Sequence, residues 1–177
     1  IGWDRLRDDK VRDPSVQFGV QPNFIDKIFH NKILYWGNML VHNYLQVFST
    51  EFLFIHGDLN LRHSTDEMGE LYRIEIIFLL TGIAFFLTSA INVKIKILLI
   101  FWMLAAPIPA ILTRDGGMHA TRLFFLLPVL IFLTAYGIYG IIEQTPRRWK
   151  RFTGVGIGAA YLLTFTLYQH SYWVHYP

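Results

Sequence analysis

Hydrophobic positions in this chain recur at helical spacing over residues 24 to 48 and run together in long blocks after residue 70. The blocks are Leu71–Ile91, Ile97–Leu112, a third that starts near Ala120 and ends before Glu143, and Phe152 to Tyr168. A helix needs about 20 apolar residues to cross the hydrocarbon core of a bilayer, so blocks of this size predict membrane helices. Pro107 and Pro109 fall in the second block. Proline lacks an N–H and crowds the preceding turn, so that helix should kink or end near Ala106. The fourth block carries Gly154, Gly156 and Gly158, small residues that predict close contact with a neighbouring helix.

The first seventy residues follow another pattern. Residues 1–23 are charged and punctuated by Pro14, Gly19 and Pro22, which predicts loop. From Phe24, apolar side chains return every three or four positions through Ile28, Trp36, Met39, Leu40, Tyr44 and Val47, with Asp26, Lys27, Asn31, Asn38 and Gln46 opposite. The spacing predicts an amphipathic helix, interrupted at Gly37, whose Trp and Tyr suit a bilayer surface. The apolar run Phe52–Ile55 is too short to span; with His56-Gly57-Asp58 and the polar stretch after it, it reads as a structured surface loop. The expected fold class is an all-α polytopic membrane protein. It comprises an extracytoplasmic loop region over 1–70, a four-helix transmembrane segment over 71–168, and the start of a further extracytoplasmic segment over 169–177.

Charge sets the orientation. Residues 1–70 hold ten acidic and seven basic side chains, and residues 71–177 hold three acidic and nine basic. Lys94, Lys96, Arg147, Arg148, Lys150 and Arg151 lie on one side of the blocks, against Glu143 alone. The positive-inside rule puts that side in the cytoplasm and residues 1–70 outside, giving a multi-pass protein of the plasma membrane. A basic excess confined to loops between apolar spans is membrane topology, so no nucleic-acid partner is expected. Cysteine is absent, which excludes disulfides and thiolate chemistry. The chain opens on Ile1 and breaks off at Tyr176-Pro177, so it reads as an internal piece of a larger protein.

The polar wedge Thr113-Arg-Asp-Gly-Gly-Met-His-Ala-Thr-Arg122 lies between two apolar blocks and so belongs at a bilayer surface. A helix beginning around Gly117, capped by Thr113 or Asp115, would place His119 and Arg122 on one face. With Arg114 these groups make a seat for a lipid-borne phosphate, since the guanidinium fork donates paired hydrogen bonds and keeps its charge. Arg114 and Arg122 are equally read as snorkelling anchors flanking two spans. In the loop, Asp58, Arg62 and His63, with Asn60 and Ser64, have the hydrogen-bonding chemistry for a sugar or its phosphate; Asp58 and Asn60 are also the residues of a turn that satisfies its own backbone. Glu75 has no local partner, which makes it a functional carboxylate or one paired between helices, with Arg122 the obvious choice, while Arg73 can reach Glu70. The seven histidines lack the spacing of a zinc helix, no nucleotide-binding loop occurs, and neither metal nor cofactor is expected.

Three stretches resemble membrane glycosyltransferases of the GT-C type, near the protein O-mannosyltransferases and aminoarabinose transferases of families 39 and 83. They are NYLQVFSTEFLFIHGDLNLRHSTDEMGELY (Asn43–Tyr72), APIPAILTRDGGMHATRLFFLLP (Ala106–Pro128) and YWVHYP (Tyr172–Pro177). The resemblance implies transfer of a sugar from a polyprenyl-phosphate-linked donor to an acceptor lipid, glycan or protein outside the membrane. It implies Arg114, His119 and Arg122 near the carrier phosphate, and Asp58, Arg62 and His63 at the cavity mouth. The catalytic carboxylate of such enzymes follows a first span, and no match to it occurs here, so no catalytic residue is assigned. The alternative function is a multi-span transporter or lipid flippase, in which a proline-broken helix beside charges marks the binding site.

Overall fold

The computed structural model describes residues 32–58, 60, 62–113 and 117–175. The expected loop over 1–23, the first part of the amphipathic segment, Arg114 and Asp115 all lie outside them. The chain divides into two units, Ile1–His42 and Asn43–Pro177. Every regular element among the described residues is helical. They are α1 (Lys32–Val47), α2 (Glu75–Thr88), α3 (Val93–Ala105), α4 (Ile108–Ile111), α5 (Leu127–Gln144) and α6 (Arg147–His170), with short 3-10 and π-helical turns between them.

In the first unit, the described part of α1 runs straight through Gly37, so the expected interruption is absent. An added Cβ at Gly37 would meet nothing, and the sixteen-residue helix carries the glycine as a local propensity cost.

In the second unit, α2 and α5 form the closest helix pair, and glycine is the reason. A Cβ on Gly82 would collide with the Leu133 carbonyl, and one on Gly137 with the Phe78 carbonyl. Cβ positions tilt toward the N-terminus of their own helix. Each glycine therefore faces the turn preceding the other, and the two helices run in the same direction. Below the crossing, Phe86 meets the rings of Phe132 and Tyr136 edge-on, at centroid distances of 5.8 and 6.1 Å. Phe86 is 2% exposed, and burying such a side chain contributes on the order of 2–3 kcal/mol. The glycines of α6 behave otherwise: an added Cβ at Gly154, Gly156 or Gly158 meets nothing, so the close contact expected there is not made by any described residue.

Among the described residues two helical stretches are long and apolar enough to cross a membrane, Val93–Ile111 and Phe124–Gln144. The first is α3 plus α4, broken at Ala106–Pro107 where the prolines predict it. The first expected span is shorter than its apolar block, since α2 has 14 residues and begins at Glu75. At 1.5 Å per residue that is about 21 Å, against roughly 30 Å of hydrocarbon. Two groups hold its ends. Glu75 accepts the Tyr72 N–H at 2.8 Å, and Lys96 Nζ donates to the Leu87 and Ser89 carbonyls at 2.7 Å each. In α6, Tyr161 stacks on Phe78 and its hydroxyl donates to Glu75 at 2.9 Å. Glu75 thus has partners that local spacing does not reveal, and Arg122 is not one of them.

The run Phe52–Ile55, expected as surface loop, is a π-helical turn (Glu51–Ile55) with Phe52, Leu53 and Phe54 buried. Its carbonyls accept N–H bonds from Glu70 and Leu71 at 3.3 and 2.8 Å, which fasten the end of the polar loop to the core. Gly69 makes the approach possible, because a Cβ there would collide with the Leu53–Phe54 backbone.

Candidate functional site

The site is assembled from the loop after this turn and from the second half of the wedge. Gly57 starts it, at φ +76°, a conformation that side chains on Cβ disfavour. The chain then turns on its own side chains: Asp58 Oδ1 accepts the Asn60 N–H at 2.8 Å, and Asn60 Oδ1 accepts the Arg62 N–H at 3.1 Å. The other oxygen of Asp58 reaches the wedge, where Oδ2 accepts the Ala120 N–H at 2.9 Å and stands 3.5 Å from His119 Nδ1. Asp58 is 3% exposed. It is the bolt between two segments sixty-two residues apart, with both oxygens already accepting hydrogen bonds.

That long-range cap replaces the local one expected in the wedge. The segment does not form an α-helix from Gly117. It forms 3-10 turns at Ala120–Arg122 and Phe124–Leu126, and α5 begins only at Leu127. Thr113 caps nothing: its hydroxyl donates to the Ala110 carbonyl at 2.6 Å and accepts from Arg122 Nη1. Arg122 is exposed. The ring of His63 lies 5.6 Å from that of His119, so the loop and the wedge meet again through a tilted imidazole pair. Arg73, expected to pair with Glu70, donates to the Glu67 carbonyl at 3.2 Å.

Two cavities share this junction. One, about 470 Å³, is polar and is lined by Arg62, His63, Ser64, Thr65, Glu70, Tyr72 and Glu75, with Tyr168 and Tyr172 from the last helical stretch. The other, about 280 Å³, is apolar and is lined by Phe52, Leu53, Ala120, Leu123, Phe124, Leu126 and Leu130. His63, Glu70 and Leu71 belong to both walls. Of the residues singled out in the sequence, Arg62, His63 and Glu75 come together in the polar cavity, and Asp58 and His119 stand behind it. Arg122 is not among the lining residues of either.

Glu70 was visible in the sequence only as a possible partner of Arg73. In the fold, burial pushes its carboxyl up to about 7, the Asp58 charge adds to the rise, and a hydrogen bond from the Asp58 backbone opposes it. His56, at the outer end of the loop, is also raised. Its ring contacts the Asp66 carbonyl at 2.7 Å, with the Glu51 and Asp66 carboxylates 3.2 and 3.4 Å away. Among the described residues no three His, Asp or Glu side chains are grouped to hold a metal ion.

Among the described residues the fold and site therefore define an all-helical architecture with two membrane-length helices and a polar cavity abutting an apolar one. No protein-family profile, no curated protein and no solved structure matches the chain.

Proposed function

We propose that this chain is the donor-binding part of a membrane glycosyltransferase, which moves a sugar from a polyprenyl-phosphate carrier to an acceptor lipid, glycan or protein outside the cell. In this reading the apolar blocks make four spans of a multi-pass plasma-membrane protein. The observation that carries the proposal is the pair of cavities with a common wall. A lipid-linked phosphosugar has a charged, hydroxylated head joined to a hydrocarbon chain, and it needs a site with that division. Arg62 faces the phosphate, Ser64 and Glu75 suit sugar hydroxyls, and Leu123, Leu126 and Leu130 suit isoprene units. Arg114 and Arg122 draw the anionic donor toward this surface. No nucleotide is needed, because the carrier phosphate is the leaving group and cations stabilise the charge that develops on it.

The test uses the protein in proteoliposomes with radiolabelled polyprenyl-phosphoryl sugars. Arg62→Ala should lower donor use roughly ten- to a hundredfold, the loss of one charge-assisted contact, and Lys should restore part of it. Arg122→Ala, outside both cavities, should have the smaller effect. Sugar carried across the bilayer would instead support the transporter reading, which the helix break at Pro107 fits. Unchanged donor use in both alanine variants sinks the phosphate assignment.

A further inference from the structure

Glu70 is held in place by its backbone. Its N–H is bonded to the Phe52 carbonyl, Gly69 before it lies against Leu53–Phe54, and Leu71 after it bonds to the Leu53 carbonyl. The side chain is left in the wall between the polar and apolar cavities, with Oε1 3.2 Å from where a Cβ on Gly57 would stand. None of the ion pairs among the described residues includes it. The titratable groups around it are Asp58 behind the wall, His63 in it, Arg62, Glu75, Tyr72, Tyr168 and Tyr172 around the polar cavity, and His119 beyond Asp58. Asp58 is an acceptor at both oxygens, whereas Glu70 takes a hydrogen bond from the Asp58 backbone, so of the two neighbouring carboxylates Glu70 is the one with more room for a proton.

We propose that Glu70 carries a proton whenever an anionic phosphate ester occupies the polar cavity, so that the site takes up a proton as its ligand binds. The inference rests on the lipid-phosphate reading above. An unprotonated Glu70 would put a third negative charge beside Asp58 and the ligand, at the edge of an apolar cavity where charges interact strongly. Protonation removes that charge and supplies an O–H donor to a phosphate oxygen. Burial and the Asp58 charge already raise the Glu70 carboxyl to about 7, so this switch is easily made.

The experiment titrates the protein, in phosphatidylcholine nanodiscs, with farnesyl-phosphoryl-mannose, a phosphodiester of constant charge between pH 6 and 8. Calorimetry in two buffers of different ionisation enthalpy counts the protons. Affinity should weaken by up to about tenfold from pH 6 to pH 8, with uptake approaching one proton at pH 8. Glu70→Gln should bind with little pH dependence and no Glu70-linked uptake, while His63→Gln and His119→Gln keep the slope. Binding by the unsubstituted protein without proton uptake overturns the inference and leaves the lipid-phosphate reading standing. A full slope persisting in Glu70→Gln also overturns it and assigns the proton to a histidine. Absence of binding at every pH removes both. Should Glu70→Gln fail to fold, the proton count of the unsubstituted protein decides.

Discussion

The α2–α5 crossing and the loop–wedge junction are both contacts between segments distant in sequence, but they are built from opposite materials. At the crossing no polar side chain makes the contact; two glycines remove their own bulk and let backbones touch. At the junction the contact centres on one buried carboxylate that takes N–H bonds from both sides, beside the tilted His63–His119 ring pair. A contact made by absence of side chain fails when anything is added, whereas one made by a polar group fails when that group is removed. The polar junction is also the one that borders the cavities. The scaffold is thus apolar and close-packed, and the site hangs from it by hydrogen bonds.

The largest effect should come from filling the crossing. Gly82→Leu or Gly137→Leu drives a branched side chain into a carbonyl of the other helix, with no flexible group to give way. Overpacking of this kind costs about 3 kcal/mol or more when backbones must part. Thermal unfolding in detergent micelles should show a large loss of stability for both variants. Stability equal to that of the unsubstituted protein would mean that the two helices do not touch there.

Next in size is Asp58→Ala. It strands the Ala120 and Asn60 N–H groups, and loss of the partner of buried donors costs roughly 1–3 kcal/mol for each group left without water. Hydrogen exchange separates this from general destabilisation: the amides of Asn60 and Ala120 should exchange faster while those of α2 and α5 stay protected. Asp58→Asn, which keeps one acceptor oxygen, should fall between the two. Uniformly faster exchange would place Asp58 in the global fold and not in the junction.

The contrast also separates what the sequence makes legible from what it hides. Blocks of apolar residues announce the helices because periodicity is local, and the break at Pro107 follows from one residue's covalent structure. The wedge stands out in the sequence as a polar break between two apolar blocks, yet its geometry is not readable there. Its 3-10 turns are capped by Asp58, which no local pattern connects to Ala120. Glu70 was missed for the same reason: its environment comes from the approach of Gly69 to Leu53 and from Asp58, both set by tertiary packing. Phe52–Phe54 looked like loop because three apolar residues bounded by turn residues have no period, and only the fold buries them.

A smaller effect tests the junction through pH. The unfolded chain releases the Glu70 proton near 4.5 and the fold holds it to about 7, so between those values the folded state binds more protons. A raised carboxyl pKa contributes stability in full below 4.5 and loses it as pH rises through 7. With its partial exposure to solvent allowed for, the loss should be about 1–2 kcal/mol. His56, also raised, loses its contribution in the same direction. Melting temperature should therefore fall between pH 5 and pH 8, and Glu70→Gln should flatten much of that fall. A melting curve indifferent to Glu70→Gln across this range would show that the carboxyl is solvated.

The smallest effect comes from glycine where it is not used. Gly82 and Gly156 are both glycines within apolar helices, but around Gly156 an added Cβ finds open space. A methyl group there costs no contact and lowers the freedom that glycine gives the unfolded chain, so Gly156→Ala should stabilise α6 by at most about 1 kcal/mol. Gly154→Ala and Gly158→Ala should behave alike, and Gly82→Ala should go the other way. The comparison is made by unfolding the protein in bilayer nanodiscs. A gain or no change at Gly156 beside a clear loss at Gly82 confirms that spacing of small residues alone does not mark a packing face. A loss at Gly156 as large as that at Gly82 would mean that a further helix lies against α6 in the membrane, and the glycine run would then be read as its docking groove.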